Sequence, residues 1–394
     1  MKGGGTLQTN HNLTLIYGIS FFFYLIPAYV IERLFWEQRG MSVLDVVLVE
    51  IIFGVTVILL EVPSGMLADR IGRRPLIICG IFLEGVMFAI IFFAHSFWAF
   101  AFAIVCSGAG GALLSGANNA LLFDTLANGE KEQYFDWHLG RLQAVKLISA
   151  IFAAMAGSLL AVRLDFEFTY LLSLCSIGIA FLLSLLLKEY FTPSTEKYES
   201  SGTQIRDSFL FFTANPALLY ILMLGIVIGL AASFTEEFWQ LYLVDAGIAI
   251  YFFGIFSAAS MVIQIPGGLL AHYVKNRFTR KALLRSALFI GALSLILSAF
   301  SVDWLGAISL LLLLLVSGIT EPIVLGALHE KADDKMRATL ESFHSLAYHS
   351  VLIAAGLGFG YFATRYTVPL GFLFLGILCL AATFKSKKYF PKKT

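Results

Sequence analysis

Twelve apolar runs, each long enough to cross a bilayer, limit what this 394-residue chain can fold into more than any other feature. A crossing of hydrocarbon takes about 20 residues of helix. The runs fall at roughly 13–36, 43–66, 75–94, 97–126, 141–162, 167–187, 216–243, 250–272, 281–300, 304–328, 338–362 and 367–384. Inside lipid only helices and closed barrels satisfy their own backbone hydrogen bonds, and runs of this length predict helices. Composition agrees: 59% of residues are hydrophobic and 13% are charged, where a soluble domain carries about 25%. Such a chain cannot cover itself with a water-compatible surface. Its net charge of +1 implies no nucleic-acid partner. Cys79, Cys106, Cys175 and Cys379 sit inside apolar runs without paired or metal-type spacing, so no disulfide framework is predicted. No cleavable leader is read at the start, where the first run would itself direct insertion.

The runs form two groups of six around a polar stretch. The predicted organisation is a six-helix bundle over 1–187, a cytoplasmic linker over 188–210 and a second bundle over 211–394. Lys and Arg orient it. With both ends cytoplasmic, 23 of the 27 cations lie on that side, and only Arg33, Arg39, Arg163 and Arg365 lie on the other. The halves also repeat. Gln264-Ile-Pro-Gly-Gly-Leu-Leu-Ala271 echoes Glu61-Val-Pro-Ser-Gly-Met-Leu-Ala68 at an offset of 203. Ser115-Gly116 meets Ser317-Gly318 at 202, and Ala153-Ala154 with Gly157 meets Ala354-Ala355 with Gly358 at 201. Steady offsets mark a parallel internal repeat, two half-molecules related about the membrane normal.

Between the second and third runs, Gly65, Asp69, Arg70, Gly72, Arg73 and Arg74 crowd a tight polar turn, where glycine lets the chain reverse. Gly65-Met-Leu-Ala-Asp-Arg-Ile-Gly-Arg-Arg74 closely resembles the signature loop of the major facilitator superfamily of secondary transporters. The preceding Glu61-Val-Pro-Ser64 is similar to the version found in its bacterial drug-exporter-like branch. The resemblance implies an all-α membrane protein of about twelve spans in two pseudo-symmetric bundles that rock about a central cavity. The first, fourth, seventh and tenth helices would line that cavity. It also implies a charge cluster of Asp69, Arg73 and Asp124, with Asp69 near the start of the eleventh helix around 337–340. A carboxylate there meets free N–H groups and the helix dipole, and would latch the cytoplasmic side shut. The second copy has lost this motif: His272, Tyr273, Lys275 and Asn276 stand where Asp69, Arg70, Gly72 and Arg73 stand in the first.

Ionisable groups at membrane depth are functional candidates. Glu32, Glu236 and Glu237 hold roughly corresponding places and could carry protons, or Glu32 could pair with Arg33. Adjacent residues point about 100° apart, so at most one of Glu236 and Glu237 is expected to face a cavity squarely. Asn118 and Asn119 are repeat-equivalent to the Glu321-Pro322 region, on helices the resemblance places at the cavity. Glu84 and Glu50 are lone acids, each a proton carrier or a helix–helix hydrogen-bond partner. Lys146 could counter an acid or snorkel inward, and snorkelling is the favoured reading. His344 and His349 are spaced poorly for a shared metal, and neither metal site nor cofactor is predicted.

Two departures from proton-coupled drug antiporters stand out. The fifth run has Gly157 and no proline where they carry Gly-Pro, and the fourth lacks their arginine around 104–108. The readings are then a plasma-membrane exporter of a small, amphipathic or cationic organic solute, monomeric and proton-driven; an uptake symporter for a metabolite; or a non-transporting sensor in the same fold. No enzyme constellation or phosphate-binding loop is present in the sequence.

Overall fold

A computed structural model describes residues 3–189, 215–330 and 337–385, the side chains of 3–8, Asp69 and a few others excepted. Most of the linker expected over 188–210 lies outside the described residues. Every described regular element is helical. In order they are α1 (Gly3–Tyr24), α2 (Glu32–Gln38), α3 (Val43–Ile71), α4 (Arg73–Phe93), α5 (Phe97–Asn128), α6 (Phe135–Arg163) and α7 (Phe166–Leu185). There follow α8 (Pro216–Asp245), α9 (Phe253–Arg277), α10 (Arg280–Phe300), α11 (Trp304–His329), α12 (Arg337–Arg365) and α13 (Val368–Lys385), with short 3-10 turns between some of them. Among the described residues nine helical segments are long and apolar enough to cross a membrane, and the apolar Ile250–Ile265 and Val368–Phe384 are shorter.

The first predicted span is not one helix. It stops at Tyr24, passes through Leu25 and Ile26, forms a 3-10 turn over Pro27–Val30 and resumes as α2. Pro27 brings no N–H and pushes the residue before it out of the helical region; Ile26 has φ −118° and ψ 87°. Serines repair the break. Ser149 and Ser176 donate to the carbonyls of Phe21 and Phe22 at 2.5 and 2.7 Å, and Ser173 accepts from the Ala28 N–H at 3.0 Å. By contrast α3 and α11 run straight through Pro63 and Pro322.

The chain divides into two compact units. Unit 1 takes Met1–Met41, Leu48–Lys197 and Ile250–Ala258; unit 2 takes Ser42–Val47, Tyr198–Ala249 and Ala259–Thr394. Each is built alike. In unit 1, α4 packs on α5 and α7, and α1 on α5, α6 and α7; in unit 2, α10 packs on α11 and α13, and α8 on α11, α12 and α13. Aliphatic and aromatic side chains form each core, with Trp36, Phe35, Phe100 and Tyr170 fully buried in one and Phe238, Tyr242, Phe359 and Phe372 in the other. Unit 1 is tied at one end by Asn12, whose amide bonds Thr125 and both backbone groups of Lys188. Helix α11 starts on Asp303, which accepts from the Ser301 hydroxyl and from the N–H groups of Gly306 and Leu305. Together these hold its carboxyl below the usual carboxylate range.

Small residues let α4 and α5 touch backbone to backbone. A Cβ on Gly110 would sit 2.9 Å from the Gly80 carbonyl oxygen, whereas one on Gly116 would meet nothing within 4 Å. Gly110→Ala is therefore expected to cost about 1–3 kcal/mol through overpacking. Gly116→Ala should stay within about 0.5 kcal/mol of the parent. Thermal melting of the two purified variants in detergent checks the contrast.

Candidate functional site

The polar turn between α3 and α4 reverses at Gly72, whose φ of +93° lies in the left-handed region that favours glycine. A side chain there would also strike the Glu189 carboxylate at 2.6 Å. That carboxylate accepts the Arg74 N–H at 2.7 Å, satisfying a free donor at the start of α4. The Arg74 guanidinium donates to the Leu185 carbonyl at 2.9 Å. Arg73 Nε lies 3.5 Å from Asp124 Oδ2, and Arg70 is exposed. Gly65 has open space beside it. The side chains of Asp69 and of 337–340 lie outside the described residues, so the expected latch does too. Glu189 escaped sequence reading because its role depends on the chain's return from α7. The lost motif of the second half also has a structural successor: Arg280, first residue of α10 as Arg73 is of α4, pairs with Glu330.

A second polar cluster lies around α2. Arg33, 5% exposed, bonds Glu50 at 2.9 Å, lies 3.8 Å from Glu32 and stacks its guanidinium 4.2 Å from the Trp36 ring. Trp36 in turn donates to the Tyr170 hydroxyl at 3.0 Å. Glu32 is thus drawn into the Arg33 pairing named among its alternatives, and Glu50 joins it.

Two cavities stand apart from these clusters, one in each unit. That of unit 1, about 310 Å³, lies among α1, α4, α5 and α6 and is lined by Glu84, Asn118, Asn119, Gln143, Lys146 and Tyr24 with apolar neighbours. Glu84 is buried, and the Ser107 hydroxyl lies 3.0 and 3.2 Å from its two oxygens, so it is at once a helix–helix partner and a cavity acid. Lys146 does not snorkel away; it lines the cavity with its ammonium 5.1 Å from the Tyr24 ring centre. The cavity of unit 2, about 420 Å³, takes Ser233, Glu236, Gln264, Glu321, His344 and Tyr348 from α8, α9, α11 and α12. Gln264 donates to Glu236 at 2.8 Å, and Ser233 and Tyr348 share a hydrogen bond of 2.5 Å. Of the adjacent acids, Glu236 lines the cavity and Glu237 does not.

The internal repeat maps one lining onto the other. Ser115, Asn118, Asn119, Gln143 and Lys146 correspond at the single offset of 202 to Ser317, Thr320, Glu321, Ser345 and Tyr348. The Tyr24–Lys146 contact has its counterpart in Ser233–Tyr348. On α1 and α8 the offset is 209, so Glu236 answers to Pro27 at the helix break and not to Glu32.

Two related sets of membrane-length helices, each holding a polar cavity, define a multi-pass membrane carrier for small molecules. A model of the Major Facilitator Superfamily matches residues 13–356, and the chain belongs to that superfamily. Multidrug resistance protein MdtH of Cronobacter sakazakii is 24% identical over 384 residues, 93% of this chain and 89% of that protein. Its namesake in Photorhabdus laumondii is 25% identical over 311 residues, 76% and 70% of the two chains. Among solved structures, nucleoside transporter NupG matches with a TM-score of 0.78 at 15% identity, over 99% of this chain and 100% of that one. A bacterial homologue of the human lysosomal transporter Spinster reaches 0.69 at 14%, covering 98% of each. At such identities these structures share the fold.

Removing one partner of a buried ion pair strands the other. Arg33→Met should destabilise the protein by about 3–5 kcal/mol, and adding Glu50→Gln should restore more than half of the loss. A double-mutant cycle of melting curves in detergent measures both.

Proposed function

We propose that this transporter exports a small amphipathic organic solute in exchange for protons, by alternating access. It acts as a monomer in the plasma membrane with both termini cytoplasmic, as the Lys and Arg bias favours. The observation that carries the reading is the pair of repeat-related cavities, each walled by carboxylates on membrane-spanning helices, Glu84 in one and Glu236 and Glu321 in the other. An acid facing a small cavity can trade a proton for a solute, because a charged carboxylate there is costly unless paired. The multidrug-resistance names of the relatives support export. Without the proline and arginine of the drug antiporters in the fifth and fourth spans, the coupling falls to Glu84 and Glu236. Asp69, Arg70, Arg73, Arg74 and Asp124 set the rate of cytoplasmic opening, with Gly65 and Gly72 shaping their turn; Asn118 and Asn119 contact the solute.

Cells overproducing the full chain should survive higher doses of toxic amphipathic compounds than cells lacking it, and an uncoupler should erase the difference. In proteoliposomes, solute leaving the lumen should draw protons in. Glu84→Gln or Glu236→Gln should reduce this coupled flux on the order of a hundredfold, the usual contribution of a positioned proton carrier. Asp69→Asn should slow transport without abolishing binding. Protons moving with the solute instead of against it would make the protein a symporter and overturn the export reading.

A further inference from the structure

The Lys146 ammonium stands out as a charge without a counter-ion. It lies in the middle of the segment Glu132–Arg163, long and apolar enough to cross the membrane, where a bare cation is expensive. Among the described residues no carboxylate pairs with it and no oxygen accepts its hydrogens; it faces the Tyr24 ring 5.1 Å away. Lys146 is half-buried, and a ring face supplies only part of what a counter-ion would. Glu84 lines the same cavity, but its carboxylate is turned to the Ser107 hydroxyl and forms no ion pair with Lys146.

The groups around the ammonium continue the theme. Asn118 on α5, and Asn119 and Gln143 beside it on the cavity wall, make no side-chain hydrogen bond to any described residue. All three line a space of about 310 Å³, a volume within the range of small-ligand sites, and bring side-chain amides to its wall. One fixed positive charge with amide donors beside it complements one negative charge carried on oxygens. A phosphate monoester, at about −1.5 to −2, exceeds the charge on offer. The repeat-related place in unit 2 holds Tyr348, bonded to Ser233, so the repeat does not copy the ammonium of Lys146.

We propose that the cavity of unit 1 is a carboxylate-binding subsite in which Lys146 neutralises the carboxylate of a small organic solute, with Asn118, Asn119 and Gln143 as amide donors. The inference rests on reading the cavities as solute sites, and it narrows the solutes to those bearing a carboxylate, whether anions or zwitterions. Lys146 is thereby a specificity-determining residue.

Equilibrium binding to the purified full chain in detergent tests it, with benzoate, salicylate, nicotinate and hexanoate each titrated beside its primary amide. At least one carboxylate should bind about tenfold or more tightly than its amide, the effect of one charge–charge contact worth about 1.4 kcal/mol. Lys146→Gln should bring that ratio to about one while leaving amide affinity unchanged, and Lys146→Arg should keep it within about threefold of the parent. Asn119→Asp, which adds a competing negative charge to the same wall, should also erase the carboxylate preference. It serves where the glutamine variant does not fold. The proposal is overturned if no carboxylate outbinds its amide, or if the preference survives both substitutions. Because binding is read without a membrane or a gradient, loss of export or proton coupling leaves this result legible. A protein that exports solutes yet shows no carboxylate preference sinks this inference alone.

Discussion

A charge carried into the hydrocarbon layer has to find a partner, a hydrogen-bond shell or a route to water. That requirement organises the polar residues of this chain into clusters with different solutions. Around α2 the solution is pairing: Arg33 has Glu50, Glu32 and the face of Trp36, and Trp36 is itself anchored on Tyr170. At the turn between α3 and α4 it is local, with Glu189 closing the backbone of Arg74 and Asp124 beside Arg73. In the unit 1 cavity the solution is partial, since Glu84 has a single hydroxyl and Lys146 only an aromatic ring. Partial compensation next to open volume is what the proposed solute site rests on.

The repeat adds a second constraint. The cavity walls formed by α5 and α6 keep a common register with those of α11 and α12, yet the residues in that register have diverged from amide and ammonium to carboxylate and phenol. At these registered positions one half therefore carries an ammonium, Lys146, and the other a carboxylate, Glu321, on nearly the same scaffold. The scaffold has also kept functions whose residues it exchanged. In unit 2 the first residue of α10, Arg280, again pairs with a carboxylate, that of Glu330 just past the end of α11, although the surrounding motif is gone and Glu330 is not the repeat equivalent of Asp124.

Much of this could be read from the residues. Span number, helix type and repeat follow from run length and offset, because lipid permits few alternatives to an uninterrupted helix. Helical geometry allowed at most one of Glu236 and Glu237 to face a cavity squarely, and the packing of unit 2 makes it Glu236. What stayed hidden depended on contacts between distant segments. Ser107, Gln264 and Tyr348 carry no signal until packing sets them beside Glu84, Glu236 and Ser233. Lys146 was misread because the flexible stem of lysine suits an interface as well as a pore, and only the position of Tyr24 decides. The interruption at Pro27 was missed although its cause is local, since Pro63 and Pro322 show that helices elsewhere in the chain absorb a proline.

That interruption bears on how the protein is made. The carbonyl of Phe21 and the N–H of Ala28 depend on hydroxyls from α6 and α7, more than a hundred residues downstream, and the Phe22 carbonyl gains there a second donor beside the Leu25 N–H. Until the ribosome has delivered those helices, the opening stretch of the chain has loose backbone groups in an oily medium and no water to soothe them. Its final shape is consequently a late event in synthesis. The first segment to enter the bilayer is among the last in its half to settle.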